Sequence, residues 1–254
     1  MTLSHDVAGD GPVVVLLHSG VCDRRMWDVQ WPTLLDAGYR LVRCDLRGFG
    51  GTPAPDRPHS DAEDVLELLD ALGVSQAALV GSSYGGQVAL EIAARWPDRV
   101  HALALLCSAV PGHEPSAELG ALGEHEEALL DAGDIAGATE LMVDTWLGAD
   151  ADETAREAVR LMQRHAFEVQ LAAGEEFEPL EAQVDLAAIR ARCLAVSGRH
   201  DVADFRQIAA RLPDLLVNAD HGELTWAGHL PSLERPSDIA DLLIAFLRQT
   251  IPVG

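Results

Sequence analysis

No lysine occurs among the 254 residues, so all 18 basic side chains are arginines, outnumbered by 41 aspartates and glutamates. The formal net charge is -23. Nucleic acids and anionic membrane surfaces are recognised through positive patches, and a chain this acidic speaks against both as partners. Long apolar runs are missing too. No stretch approaches the roughly 20 residues that span a bilayer, and Met1–Asp10 has neither the basic start nor the apolar centre of a secretory leader. These absences point to a cytoplasmic protein. Cysteine is scarce: Cys22, Cys44, Cys107 and Cys193, with no C-x-x-C spacing that would suit zinc. The last three lie in apolar stretches and read as small buried hydrophobes in a reducing compartment.

What is present suits a folded core. Hydrophobic residues make up 48% of the chain and charged residues 23%, a globular balance. Short apolar runs bounded by turn residues occur at Val13–His18, Arg40–Leu46, Ala77–Gly81, Val100–Cys107 and Cys193–Ser197. Such runs read as strands buried on both faces. Helical patterns lie between them. Ser60-Asp-Ala-Glu63 is a capping box opening a helix, Gln87–Arg95 has helical spacing up to Trp96-Pro97, and a last helix begins near Pro236. Alternating strands and helices predict a largely parallel sheet with helices on both faces.

Residues 111–189 break the alternation. They hold 19 acids and three arginines, a net charge of -16. Leu129-Leu130, Ala138–Trp146 and Ala155–Leu171 read as separate helices. The expected organisation is a core from residues 1–110 and 190–254, with 111–189 as a helical cap insertion whose acidic face meets solvent.

The strongest chemical signal is Gly81-Ser82-Ser83-Tyr84-Gly85-Gly86, a G-x-S-x-G centred on Ser83 between a strand and a helix. A sharp strand-to-helix turn strains the serine backbone, and side chains at the flanking positions would clash. Val80 and Tyr84 would flank Ser82 in the same way, so Ser82 is not the nucleophile. The turn also points a helix N-terminus at the reaction centre.

Together with further motifs, this elbow resembles the α/β-hydrolase superfamily along nearly the whole chain. His18-Ser19-Gly20 is similar to the family's His-Gly-x oxyanion segment, with serine in place of its glycine. Asp45-Leu-Arg-Gly-Phe-Gly50 is similar to its D-x-R-G-x-G loop, and Ala227–Pro236 to its histidine loop. The resemblance implies a mostly parallel, doubly wound sheet of about seven strands with a helical cap. It implies Ser83 as nucleophile, His229 as base and Asp201, in Gly198-Arg-His-Asp201, as the acid that orients the base. Asp204 is the rival acid; Ser108-Ala109-Val110, after the preceding strand, offers no carboxylate. The oxyanion donors would be the backbone N–H groups of Gly20 and Tyr84. Trp27, His18 and Trp146 are candidate pocket residues, and His18 also suits a role in supporting the oxyanion loop. His5, His59, His113, His125 and His165 stand in polar or acidic contexts and are expected to be solvated.

The expected activity is hydrolysis of a small-molecule carboxylic ester or lactone through an acyl-enzyme, with no metal and no cofactor. Met26-Trp27-Asp28-x-Gln30 also resembles enol-lactonases and carbon–carbon bond hydrolases of aromatic degradation. Arg24 and Arg25 could there bind a carboxylate. A haloalkane dehalogenase would need aspartate at position 83. An inactive binding module on the same fold is the rival of another class, and homo-oligomerisation is left open.

Overall fold

In the computed structural model, residues 2–149, 151–173, 177, 179, 180 and 182–253 are described. The strands are β1 (His5–Ala8), β2 (Val13–Leu17), β3 (Arg40–Cys44), β4 (Ala77–Ser82), β5 (Val100–Leu106), β6 (Arg192–Gly198) and β7 (Ala219–Leu224). The helices are α1 (Gln30–Asp36), α2 (Asp61–Ala71), α3 (Tyr84–Arg95), α4 (Ala117–Asp131), α5 (Ile135–Trp146), α6 (Glu153–Ala172), α7 (Ala203–Leu215), α8 (Pro231–Glu234) and α9 (Pro236–Thr250). One seven-stranded sheet runs β1-β3-β2-β4-β5-β6-β7. Only β1 is antiparallel to its neighbour. The expected mostly parallel, doubly wound sheet is therefore present.

The period of two along each strand sends alternate side chains into two cores. Val14, Leu16, Val80 and Leu106 pack with Leu34 of α1 and Ile239 and Leu243 of α9. Val15, Leu17, Leu79 and Leu105 pack on the opposite face with Val65 and Leu69 of α2 and Val88 and Ile92 of α3. The Ser60 hydroxyl accepts from the Glu63 N–H at 3.3 Å and starts α2 as the capping box requires. Helices α4, α5 and α6 intervene between β5 and β6, within the segment expected to leave the alternation. None of the described helices is long and apolar enough to cross a membrane.

Two strands escape the hydrophobic reading, β1 and β7. The β7 sequence Ala-Asp-His-Gly-Glu-Leu is half-buried at its ends and exposed between them. As the sheet's last strand it hydrogen-bonds β6 alone, so no second neighbour demands apolar side chains.

The strand order places the site. β2 leads outward to β3, whereas β4 lies on the other side of β2 and leads toward β5. The carboxyl ends of β2 and β4 thus flank the point where the winding reverses, where open parallel sheets form a crevice.

Candidate active site

Ser83 follows β4 directly and begins α3 with φ 51° and ψ -115°. A non-glycine residue in this region is strained and persists only where its surroundings enforce it. The enforcement is visible. The Ser83 N–H donates to the Leu106 carbonyl at 3.0 Å, and its carbonyl accepts from Gly86, Gln87 and Ala109. A Cβ at position 81 would lie 2.4 Å from the Gly85 carbonyl oxygen, and one at position 85 would lie 2.5 Å from that of Leu17. The glycine spacing read from the sequence is therefore a packing requirement. Ser83 itself is only 8% exposed.

The expected acid and base lie on the other side of β5. Asp201 follows β6 and His229 follows β7. The His229 Nδ1 lies 2.9 Å from both carboxylate oxygens of Asp201. His229 and Asp201 are both buried, so the pair is shielded from competing water. Close approach of the two loops depends on Gly198, where a Cβ would fall 1.9 Å from the Gly228 carbonyl oxygen. Asp204, the rival acid, faces elsewhere. It accepts from Ser116 N–H at 2.9 Å and Ser116 hydroxyl at 2.7 Å, and lies 2.8 Å from His113 Nε2. Burial alone would raise its carboxyl, but the hydrogen bonds from His113 and Ser116 outweigh that and bring it down to about 2.

Two residues to which the sequence reading gave no role hold the histidine loop. The Glu234 carboxylate accepts from the Gly228 N–H at 2.9 Å and the Leu230 N–H at 3.3 Å, bracketing His229. Burial raises its carboxyl while those N–H groups oppose the shift. Gln30 donates from Nε2 to the Ser232 carbonyl at 2.7 Å and ties α1 to the same loop. A local signal for Glu234 existed, since it stands four to six residues from the groups it binds. Gln30 lies 202 residues from Ser232, beyond any local pattern.

The two oxyanion candidates, Gly20 and Tyr84, lie close together. A Cβ on Gly20 would lie 3.6 Å from the Tyr84 Cβ, so the two backbones face each other across the β2–β4 crevice. His18 is fully buried and serves as a strut. Its Nε2 accepts the Leu46 N–H at 3.0 Å and its Nδ1 donates to the Ser19 carbonyl at 2.8 Å. Its burial lowers its affinity for a proton, consistent with a neutral ring that accepts on one side and donates on the other.

A cavity of about 1080 Å³ opens from Gly20 and Tyr84. Its apolar wall includes Phe49, Val88, Phe167 and Leu171. Trp27, His18 and Trp146, the candidate pocket residues, are not among its lining residues. Trp27 is fully buried in the core beneath. Trp146 packs its ring 4.5 Å from that of His229, and its carbonyl accepts the His229 N–H at 3.2 Å. It therefore touches His229 from the end of α5 and does not line the cavity. His59, expected to be solvated, is 7% exposed and lines the cavity. The carbonyl of His59 accepts the Leu180 N–H at 2.7 Å, and that cross-link draws its ring out of water. His113, bound to Asp204, and His165, whose Nε2 bonds the Gly50 carbonyl at 2.9 Å, are likewise only partly exposed.

Arg24 and Arg25 are already engaged. Arg24 bonds Asp6, Asp45 and Ser4, and Arg25 pairs with Asp23. Neither lines the cavity. One trio of ligand-type atoms among the described residues comes together, from Cys107, Asp201 and His229. Burial and the nearby Asp201 carboxylate push the Cys107 thiol well up. The Asp201 oxygens and His229 Nδ1 already satisfy each other.

Comparison with known proteins agrees with this architecture. Residues 12–133 match the family described as alpha/beta hydrolase fold. Epoxide hydrolase 2 of Siraitia grosvenorii is 41% identical over 100 residues, 37% of this chain and 32% of that protein. The chain thus aligns with about a third of that relative. RutD of Variovorax paradoxus (strain S110), a candidate carbamate hydrolase by name, is 28% identical over 100% of this chain and 99% of its own length. The solved structure of the enol-lactonase from Burkholderia xenovorans LB400 superimposes with a TM-score of 0.79 at 25% identity, covering 96% of each chain.

Proposed function

Since the chain belongs to the α/β-hydrolase fold superfamily, a family of hydrolases, we propose that it is a serine hydrolase of small carboxylic esters or lactones, working through an acyl-enzyme on Ser83. The observation that carries this reading is the strained backbone of Ser83 at the end of β4, in a fold that also holds a buried Asp201–His229 pair in the loops after β6 and β7. Strain of this kind is retained where exposing a side chain to a reacting partner requires it.

The steps follow from the groups present. The His229 Nδ1–H is held by Asp201, which leaves Nε2 as the basic nitrogen. As the Ser83 hydroxyl attacks the carbonyl carbon, Nε2 takes its proton and Asp201 stabilises the imidazolium. The oxygen that becomes negative is received by the backbone N–H groups of Gly20 and Tyr84; losing one such donor typically costs about 3 kcal/mol in the barrier. Collapse breaks the ester C–O bond, and the imidazolium returns the proton to the departing alcohol oxygen. Water then repeats the sequence on the acyl-enzyme and releases the acid and free Ser83.

The same chemistry separates the relatives. A carbamate or a lactone gives a carbonyl adduct that water can cleave. Serine attack on an epoxide carbon would give an alkyl ether, which has no carbonyl for water to attack. Turnover of epoxides is therefore not proposed, and the likeness to an enol-lactonase supports the lactone branch. We place the cap at 111–189 over this site, as the contact between Trp146 and His229 suggests.

The test is turnover of p-nitrophenyl acetate with labelling by a fluorophosphonate probe. Wild type and Ser82→Ala should turn over and label. Ser83→Ala should lose at least about a thousandfold in rate, as in related triads, and should not label. A wild type that neither hydrolyses nor labels would support the binding-module alternative instead.

A further inference from the structure

Glu234 belongs to the histidine loop, yet its carboxylate reaches beyond it. Besides the Gly228 and Leu230 N–H groups on either side of His229, it accepts the N–H of Gly148, just past the end of α5 in the insertion. Backbone donors from two segments far apart in the chain thus converge on one side chain. The approach is so close that only glycine fits. A Cβ at position 148 would lie 2.5 Å from Glu234 Oε2 and 2.9 Å from the Gly228 nitrogen, and one at position 228 would lie 2.4 Å from the Gly148 nitrogen. A second tie runs beside this one. The His229 N–H donates to the carbonyl of Trp146, the last residue of α5, at 3.2 Å. The His229 ring is packed by the same residue. Its centroid lies 4.5 Å from that of Trp146 and 4.2 Å from that of Phe205 in α7. The imidazole therefore has one aromatic neighbour supplied by the insertion and one supplied by a helix of the core.

We propose that Glu234 is a positioning residue that clasps the end of α5 to the histidine loop, so that the insertion helps set where the His229 ring stands. This rests on the reading of His229 as the base. A carboxylate suits the task because both of its oxygens accept, and each of its partners here is a donor. Hydrogen bonds to a charged acceptor are also stronger than those between neutral groups. An amide at this position cannot do the same. Glutamine keeps one accepting oxygen and presents an NH2 on the other side, so a donor faces a backbone donor whichever way it turns. The clasp then opens on one side without leaving a void. Ring placement matters because proton transfer from Ser83 depends on geometry, and small displacements cost large factors in rate. Substrate contacts are not involved, since Glu234, Gly148 and Trp146 do not line the cavity. Opening the clasp therefore acts on kcat and not on KM.

Kinetics and amide hydrogen exchange test it together. In Glu234→Gln, kcat for p-nitrophenyl acetate should fall by about ten- to a hundredfold while KM stays within about twofold of wild type. Gly148→Ala, which presses a methyl group against the Glu234 carboxylate and the Gly228 backbone, should act alike. The double variant should be no more than about twofold worse than the more damaged single, because both changes open one contact. Exchange, read by mass spectrometry, should rise at least about fivefold in the peptides covering 146–149 and 227–230 in each variant, and stay at the wild-type rate in β4. Faster exchange in 227–230 alone would mean that Glu234 serves only its own loop, and the clasp is overturned. Faster exchange in β4 as well would make Glu234 a general support of the fold and overturn the positioning role. So would an unchanged kcat, a loss carried by KM, or single losses that multiply in the double variant. The exchange experiment needs no turnover, so the clasp is judged separately from the proposed chemistry, whose failure would show as absent hydrolysis and labelling in the wild type.

Discussion

Strand β4 and helix α4 are opposites. Every residue of β4 is buried, whereas no residue of α4 is. The contrast extends to the regions around them. The loops after β4, β6 and β7 carry Ser83, Asp201 and His229, all three buried. The helices between β5 and β6 reach this region through Trp146, which packs on His229, and they bring Phe167, Gln170 and Leu171 to the cavity wall. Bond-making groups need fixed geometry because small displacements cost large factors in rate. A wall that meets the variable part of a substrate carries no such demand.

Breaking the rigid side should cost most. Asp201→Asn should fold normally and lower kcat by roughly 10⁴-fold, as in a related triad, because the neutral amide no longer stabilises the imidazolium. Asp204→Asn should leave kcat within about tenfold of wild type, since that carboxylate serves Ser116 and His113. If Asp204→Asn were the crippled variant, the assignment of the acid would be wrong. Gly85→Ala tests the elbow itself. Its Cβ would press on the Leu17 and His18 carbonyls, and backbone has nowhere to yield, so a loss of about 3 kcal/mol or more in urea melts is expected.

The junction between the regions should show an intermediate effect with a defined pH dependence. The Asp204 carboxyl lies at about 2 in the folded protein against an ordinary value near about 3.9. A depressed carboxyl contributes stability that is fully present above the unfolded value and is lost as pH falls through the folded one. Asp204 should therefore contribute about 2 kcal/mol above pH 4 that disappears toward pH 2. Urea melts of wild type and Asp204→Asn across that window should converge at the acid end. Curves that stay parallel would place the anchor elsewhere.

The smallest effect belongs to the outer face of the insertion. Arg160 pairs with Glu140 and Glu157, both about half exposed. Solvent screens such pairs, so Arg160→Gln should change stability by less than about 1 kcal/mol. A larger loss would mean that the insertion is held by its surface charges, and the contrast between the two regions would need another explanation.

Much of the site was legible because its constraints are local. The elbow glycines, the capping box at Ser60 and the histidine loop each place their partners within a few residues. The five apolar strand runs were legible for a different reason, since burial on both faces forces a continuous hydrophobic stretch. β7 was not, because exposure leaves its composition free. His59 misled because its neighbours in the chain are polar, while the backbone that covers it comes from Pro179 and Leu180. Cys107 reads as an ordinary buried cysteine, yet it holds φ at 47° and lies beside the Asp201–His229 pair.

The sequence by itself therefore determined the alternation of strands and helices, the position of the strained serine and the identity of a histidine loop, because steric rules act between near neighbours whatever the rest of the chain does. Only the tertiary structure decided which of two nearby carboxylates meets His229 and which histidine faces the cavity. Those outcomes depend on groups up to two hundred residues apart. Hydrogen-bond geometry falls off within an ångström, and no pattern along the chain can report a distance that folding alone creates.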